Sequence, residues 1–221
     1  MIRVGVLSPH AAPGAEAELP LLAPGRVSTT LSRLRAAGSV PGDDLRALAA
    51  DDIVDEAVAA FPPGSVDVLA YASTGTAYVL GHDAEARLVE RVFRQWTVPA
   101  YSTPMSTVEA LRSLGAARVA LVHPPWFGAA LADLGVAYFR AQGFTVAGSY
   151  VADVPDDPGQ VTARAVVDGI PRQVGGGTDA VFIGGNGFRA ALAIGALEDK
   201  LGCVVLTSNQ VLLRSILARA G

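Results

Sequence analysis

Short apolar runs rich in β-branched residues alternate along this chain with longer Ala/Leu/Arg stretches of helical period. That alternation restricts the fold more than any other feature. Strand-like runs fall at 3–7, 66–71, 118–122, 144–151, 180–183 and 203–206, with a weaker one at 27–31. Helical patterns fall at 45–61, 84–95, 107–114, 128–142, 160–167, 188–201 and 210–220. Near-continuous apolar strands separated by helices specify a parallel sheet buried on both faces. We read the chain as α/β.

The pattern also repeats. RVGVLSP from Arg3 matches RVALVHP from Arg118, and DVLAYASTGTAYVL from Asp67 matches DAVFIGGNGFRAAL from Asp179. Nearly one offset separates both pairs, in the same order, which points to two pseudo-symmetric parallel-sheet lobes. Chance alignment of apolar strands is the plainer alternative. We expect one lobe to hold residues 1–102 with 207–221 and the other to hold 103–206. Ligands of open α/β sheets bind at the carboxyl ends of strands. Function is therefore sought in four loops, beginning near Ser8, Tyr71, Val122 and Ile183.

Composition narrows the function classes. With 17 basic against 21 acidic residues and a net charge of -4, the chain has no electrostatic footprint for nucleic acid. No apolar run approaches the roughly 18 residues of a membrane helix. Met1 leads straight into a strand-like run, leaving no room for a signal sequence. The single cysteine, Cys203, excludes a disulfide framework and reads as a buried structural thiol. We expect a soluble, cytoplasmic protein. Its oligomeric state stays open, a homo-oligomer included.

The second loop, Ala72-Ser73-Thr74-Gly75-Thr76, and the fourth, Gly184-Gly185-Asn186-Gly187, each lie between a strand and a helical pattern. Small residues there allow close backbone approach, and free N–H groups at a helix start attract anions. Two such cradles across one cleft suit a small carboxylic acid. The same residues also serve as ordinary turns and helix caps. Neither loop is a nucleotide signature.

Of three histidines, His10 lies in the first loop and His123 in the third. Imidazole titrates near neutrality and so suits proton transfer, although a loop histidine is ordinarily a surface residue. No histidine spacing suggests a metal. Ser208 or Asn209 is expected to cap the last helix. Arg33 is suited to counter a carboxylate, with a surface arginine as the default. Trp126 suits either the wall for an apolar substituent or lobe packing.

Taken together, residues 6–14, 67–77, 103–114, 118–124, 180–189 and 201–210 resemble the aspartate/glutamate racemase superfamily. The nearest branch is that of maleate cis-trans isomerase and arylmalonate decarboxylase. The most specific stretch is LGCVVLTSNQ, similar to that branch's LGxPVxSSNQ. The resemblance implies two lobes with the site between them, a small carboxylic-acid substrate and no cofactor. It also implies one or two cysteines that move a proton beside a carboxylate, or attack a maleate-type double bond. Here those positions are Ser73 and Gly185, and Cys203 is displaced from both. A branch tyrosine falls at Pro125, next to Trp126, and the asparagine of many first loops falls at Ala12. Thr74 is retained at the carboxylate-binding position.

A serine hydroxyl is too weak an acid to replace a thiol unaided, and Gly185 carries no proton. Three readings follow. The first is a cofactor-independent isomerase or decarboxylase with His10, His123 and Ser73 as catalytic candidates. Thr74, Gly75, Thr76, Trp126, Gly184, Gly185, Asn186 and Gly187 would then hold the substrate. The second is a catalytically silent carboxylate-binding protein. The third, a Ser73-dependent hydrolase, lacks a G-x-S-x-G context.

Overall fold

The computed structural model describes residues 1–35 and 45–219. Ala220 of the expected last helix, and positions 36–44 of the expected first lobe, lie outside the described residues. Among the described residues, eight parallel strands form two four-stranded sheets. The first joins β1 (Ile2–Ser8), β2 (Val27–Arg33), β3 (Val68–Tyr71) and β4 (Ala100–Ser102) in the order β2-β1-β3-β4. The second joins β5 (Arg118–His123), β6 (Thr145–Val151), β7 (Ala180–Ile183) and β8 (Val204–Thr207) in the order β6-β5-β7-β8. The repeated topology is that of two α/β lobes, as the duplicated pattern predicts.

Helices cover both faces of each sheet: α1 (Ala15–Leu22), α2 (Asp51–Ala59), α3 (Thr74–Leu80), α4 (His82–Trp96), α5 (Thr103–Ser113), α6 (Gly128–Ala141), α7 (Ala163–Gly169), α8 (Ile194–Leu201) and α9 (Ser208–Arg219). Side chains alternate across a strand, so each strand feeds two cores. Val119, Leu121, Ala180 and Phe182 pack on Val108 and Leu111 of α5 and Phe139 of α6. Their neighbours Ala120, Val122, Val181 and Ile183 pack on Val166 of α7 and Leu197 of α8. In the first sheet Val4, Val6 and Ala70 meet Leu19 of α1 and Leu212 of α9, while Leu7, Leu69 and Tyr71 meet α2 and α4. Gly5 is fixed by packing, because a β-carbon there would lie 2.8 Å from Leu69 and 3.1 Å from Phe61.

Several elements differ from the sequence expectation, each for a local reason. The helix expected over 188–201 begins only at Ile194, after two short 3-10 turns, Asn186–Phe188 and Ala191–Ala193. Arg189 between them sits at φ 50, which no helix continues. The fourth loop therefore does not run into a helix start. Gly81, at φ 76, separates α3 from α4, which opens at His82. Helix α1 leaves no clear helical period in the sequence, as it spans eight residues and contains Pro20, and β4, at three residues, is too short to show a strand pattern. Helix α9 starts at Ser208 itself. Gln210 accepts the Thr207 N–H at 3.3 Å, half of a capping box that puts the cap one residue earlier than expected.

Candidate active site between the lobes

The strands of both sheets end in loops that meet at a buried polar seam. Thr74 opens α3, and both its backbone N–H and its hydroxyl donate to Asn186 Oδ1, at 3.1 and 2.9 Å. Asn186 Nδ2 donates to Thr103 Oγ1 and to Asn209 Oδ1, each at 2.9 Å. Asn209 Nδ2 in turn reaches Glu18 Oε2 at 2.8 Å, and Glu18 Oε1 accepts the Ala191 N–H at 3.0 Å. Burial raises the Glu18 carboxyl above its ordinary range, against the pull of the Asn209 and Ala191 bonds. The hydroxyl proton of Thr74 is committed to Asn186, so its oxygen accepts the Gly185 N–H at 3.3 Å. Asn186 uses both its lone pairs and both its amide protons within the protein.

The remaining residues of the second loop are equally engaged. Ser73 and Thr76 share a hydrogen bond of 2.7 Å between their hydroxyls, and neither histidine is among the partners of Ser73. Gly75 is held by close packing, since a β-carbon would meet Leu45 at 3.1 Å and Leu131 at 3.2 Å. Gly185 adopts φ 98, a conformation that favours glycine, so a thiol-bearing residue would be strained there.

His10 and His123 approach the fourth loop at different points. A β-carbon at Gly184 would lie 3.3 Å from His123 Nδ1 and 3.4 Å from the Tyr78 hydroxyl, and one at Gly187 would lie 3.6 Å from the His10 ring. His123, fully buried at the end of β5, has no hydrogen-bond partner for either ring nitrogen among the described residues, and Nε2 of the partly buried His10 has none either. Burial lowers His123 to about 4. Burial first, and then the charge of Arg33, lowers His10 to about 4. Both rings are therefore neutral at pH 7 and able to accept a proton.

The ring around His123 was not anticipated. Phe127 stacks on it at 5.6 Å between centroids, and Tyr78 meets it edge-on at 5.9 Å. The buried Tyr78 hydroxyl also lacks a partner among the described residues, and burial raises its pKa, so it stays protonated. The available signal was position: Tyr78 lies one helical turn after Thr74, on the same face of α3. Trp126 packs edge-on against Phe188 at 5.8 Å. Cys203 is half-buried rather than buried, because it precedes β8 at the amino edge of the sheet, away from the strand ends that carry this site. Among the described residues no cluster of His, Cys, Asp and Glu could hold a metal, and no helix is long and apolar enough to cross a membrane.

Comparisons with known proteins agree on one fold. Arylmalonate decarboxylase superposes with a TM-score of 0.82 at 19% identity, over 99% of this chain and 92% of that one. The maleate cis-trans isomerase of Nocardia farcinica, solved with a covalent succinylcysteine intermediate, gives 0.79 at 24% identity, over 99% and 92% of the two chains. The maleate isomerase of Pseudomonas putida, solved with maleate, gives 0.80 at 22% identity over the same shares, 99% and 92%. No curated protein matches at the sequence level. The sequence pattern of the arylmalonate decarboxylase family, however, matches residues 36–221, and the chain belongs to that family.

Proposed function

We propose that this protein is a cofactor-independent enzyme that moves a proton at the carbon beside a carboxylate of a small organic acid, with His10 and His123 in place of thiols. The observation that carries this reading is that two neutral imidazoles with unpartnered ring nitrogens border one glycine-rich loop, at Gly184 and Gly187. An imidazole nitrogen takes the α-proton, and the C–H electron pair passes into the carboxylate as an enediolate. The Tyr78 hydroxyl donates to the developing oxyanion. Return of the proton from that same imidazolium to the opposite face of the carbon, after the planar enediolate has turned in the site, completes an epimerisation and restores the neutral imidazole. Neutral rings at pH 7 favour a sequence that begins with proton removal over one that begins with loss of CO2.

Proton NMR in D2O tests this, with maleate, aryl- and alkylmalonates, aspartate, glutamate and hydantoins. The expected result is exchange or conversion of at least one acid, slowed by about 10²-fold or more in His10→Ala or His123→Ala. If both variants stay within about tenfold of wild type, the assignment is overturned.

A second reading rests on a different observation. The donors of Thr74 are spent on Asn186 and those of Asn186 on Thr103 and Asn209, and Ser73 and Gly185 bring no thiol. A silent carboxylate-binding protein would show thermal stabilisation by an acid of the panel without exchange.

A further inference from the structure

Arg33 ends β2 in register with Ser8, the last residue of β1, and so borders the loop that carries His10. It is not the surface arginine of the default reading, as its side chain is 22% exposed. One nitrogen tethers it: Nη2 donates to Ala11 O at 3.3 Å and to Glu16 Oε1 at 3.4 Å. Both contacts are long for a charged donor. Glu16 is itself shared, its other oxygen accepting the Gly14 N–H at 3.1 Å. The second terminal nitrogen, Nη1, is buried and has no partner among the described residues. An unmatched buried donor on a cation is costly, so its retention calls for a ligand. The positive charge also reaches His10, whose ring faces Gly187.

We infer that Arg33 is a specificity-determining residue, whose free guanidinium edge takes a second anionic group of the ligand while the reacting carbon lies between His10 and the 184–187 loop. The placement of that carbon rests on the proposed function; the anion contact does not. Fixed by Nη2 and open at Nη1, the planar fork suits a carboxylate better than an ammonium would.

The test uses two ligands of one shape that carry no proton on the central carbon, so binding is read without proton-abstraction turnover. They are dimethylmalonate and pivalate, which differ by a carboxylate in place of a methyl group. Calorimetric titration of the wild type is expected to give at least about tenfold tighter binding of dimethylmalonate. In Arg33→Met that preference should fall below about threefold with pivalate affinity unchanged, and Arg33→Lys should lie between. A wild type with no preference, or an Arg33→Met that keeps it, overturns the inference. If Arg33→Met does not fold, Arg33→Lys decides: an undiminished preference there overturns it as well. Failure of the proposed function reads differently, as silence in D2O exchange with this preference intact.

Discussion

Thr74 and Asn186 stand 112 residues apart at matching places in the two lobes, and they are hydrogen-bonded to each other. Around this pair the pseudo-symmetry continues. Asn186 reaches Thr103, the first residue of α5, and Thr74 reaches Ser208, the first residue of α9, at 3.2 Å. Each loop thus bonds both its counterpart and the start of a helix that follows a fourth strand. The seam ties the lobes together through the residues that the sequence marks as candidate ligand holders.

Asn186→Ala removes every side-chain bond of a fully buried node and strands the Thr74 N–H. We expect a loss of about 2–4 kcal/mol in urea unfolding, since each unmatched buried group costs about 1–3 kcal/mol. Thr74→Ala should cost less, because its N–H persists. The double variant should show a coupling of about 1 kcal/mol or more. Additive losses would mean that the pair does not act as a unit.

The architecture was legible because strands and loops repeat with nearly one offset: the patterns beginning at Asp67 and Asp179 correspond to β3 and β7, each with its following loop. Ser73, Thr74 and Asn186 are candidates by loop position, and Ser73 and Thr74 also by family resemblance. What position could not show is where their donors point. A threonine at a carboxylate-binding place reads the same whether its hydroxyl faces a ligand or Asn186. Tyr78, Phe127 and Glu18 stayed hidden because they sit inside helices or short turns, where an aromatic or acidic residue has no sequence mark of burial.

Gly184 and Gly187 border the two histidines with different clearance. A methyl group at Gly184 presses on His123 Nδ1 and the Tyr78 hydroxyl at 3.3 and 3.4 Å, whereas one at Gly187 makes an ordinary 3.6 Å contact with His10. Gly184→Ala is therefore expected to lower turnover by about tenfold or more, and Gly187→Ala by less than about threefold. Equal effects would remove His123 from the reaction.

Gly135 on α6 gives Tyr78 its room, as a β-carbon there would lie 2.6 Å from the tyrosine ring. Gly135→Ala gains helix propensity but overpacks a filled site. The net expectation is a destabilisation of about 1–3 kcal/mol, read by thermal or urea unfolding. A stabilised variant would show that α6 and Tyr78 yield freely.

The buried ionisable groups give opposite pH slopes, and substitution separates them. Glu85 on α4 accepts the hydroxyls of Ser102 and Tyr138 and the Met105 N–H, yet burial raises it from 4.5 to about 7. The folded state then holds more protons than the unfolded chain between those values, so stability falls as pH rises through this window. His10 and His123 behave in reverse. Each is lowered from 6.5 to about 4, the unfolded chain binds the proton first, and stability rises with pH across that window. One full proton corresponds to about 1.4 kcal/mol per pH unit. Urea unfolding from pH 4 to 8 should therefore show Glu85→Gln losing the falling limb and His123→Asn losing part of the rising one. NMR titration of the imidazoles supplies the independent reading: both rings should remain neutral at pH 6. The acid limb of any turnover that uses them should then bend near pH 4, far below the inflection of a free histidine. Rings that titrate near 6.5 would mean that water reaches both, and that the apolar enclosure of His123 by Phe127 and Tyr78 does not set its chemistry.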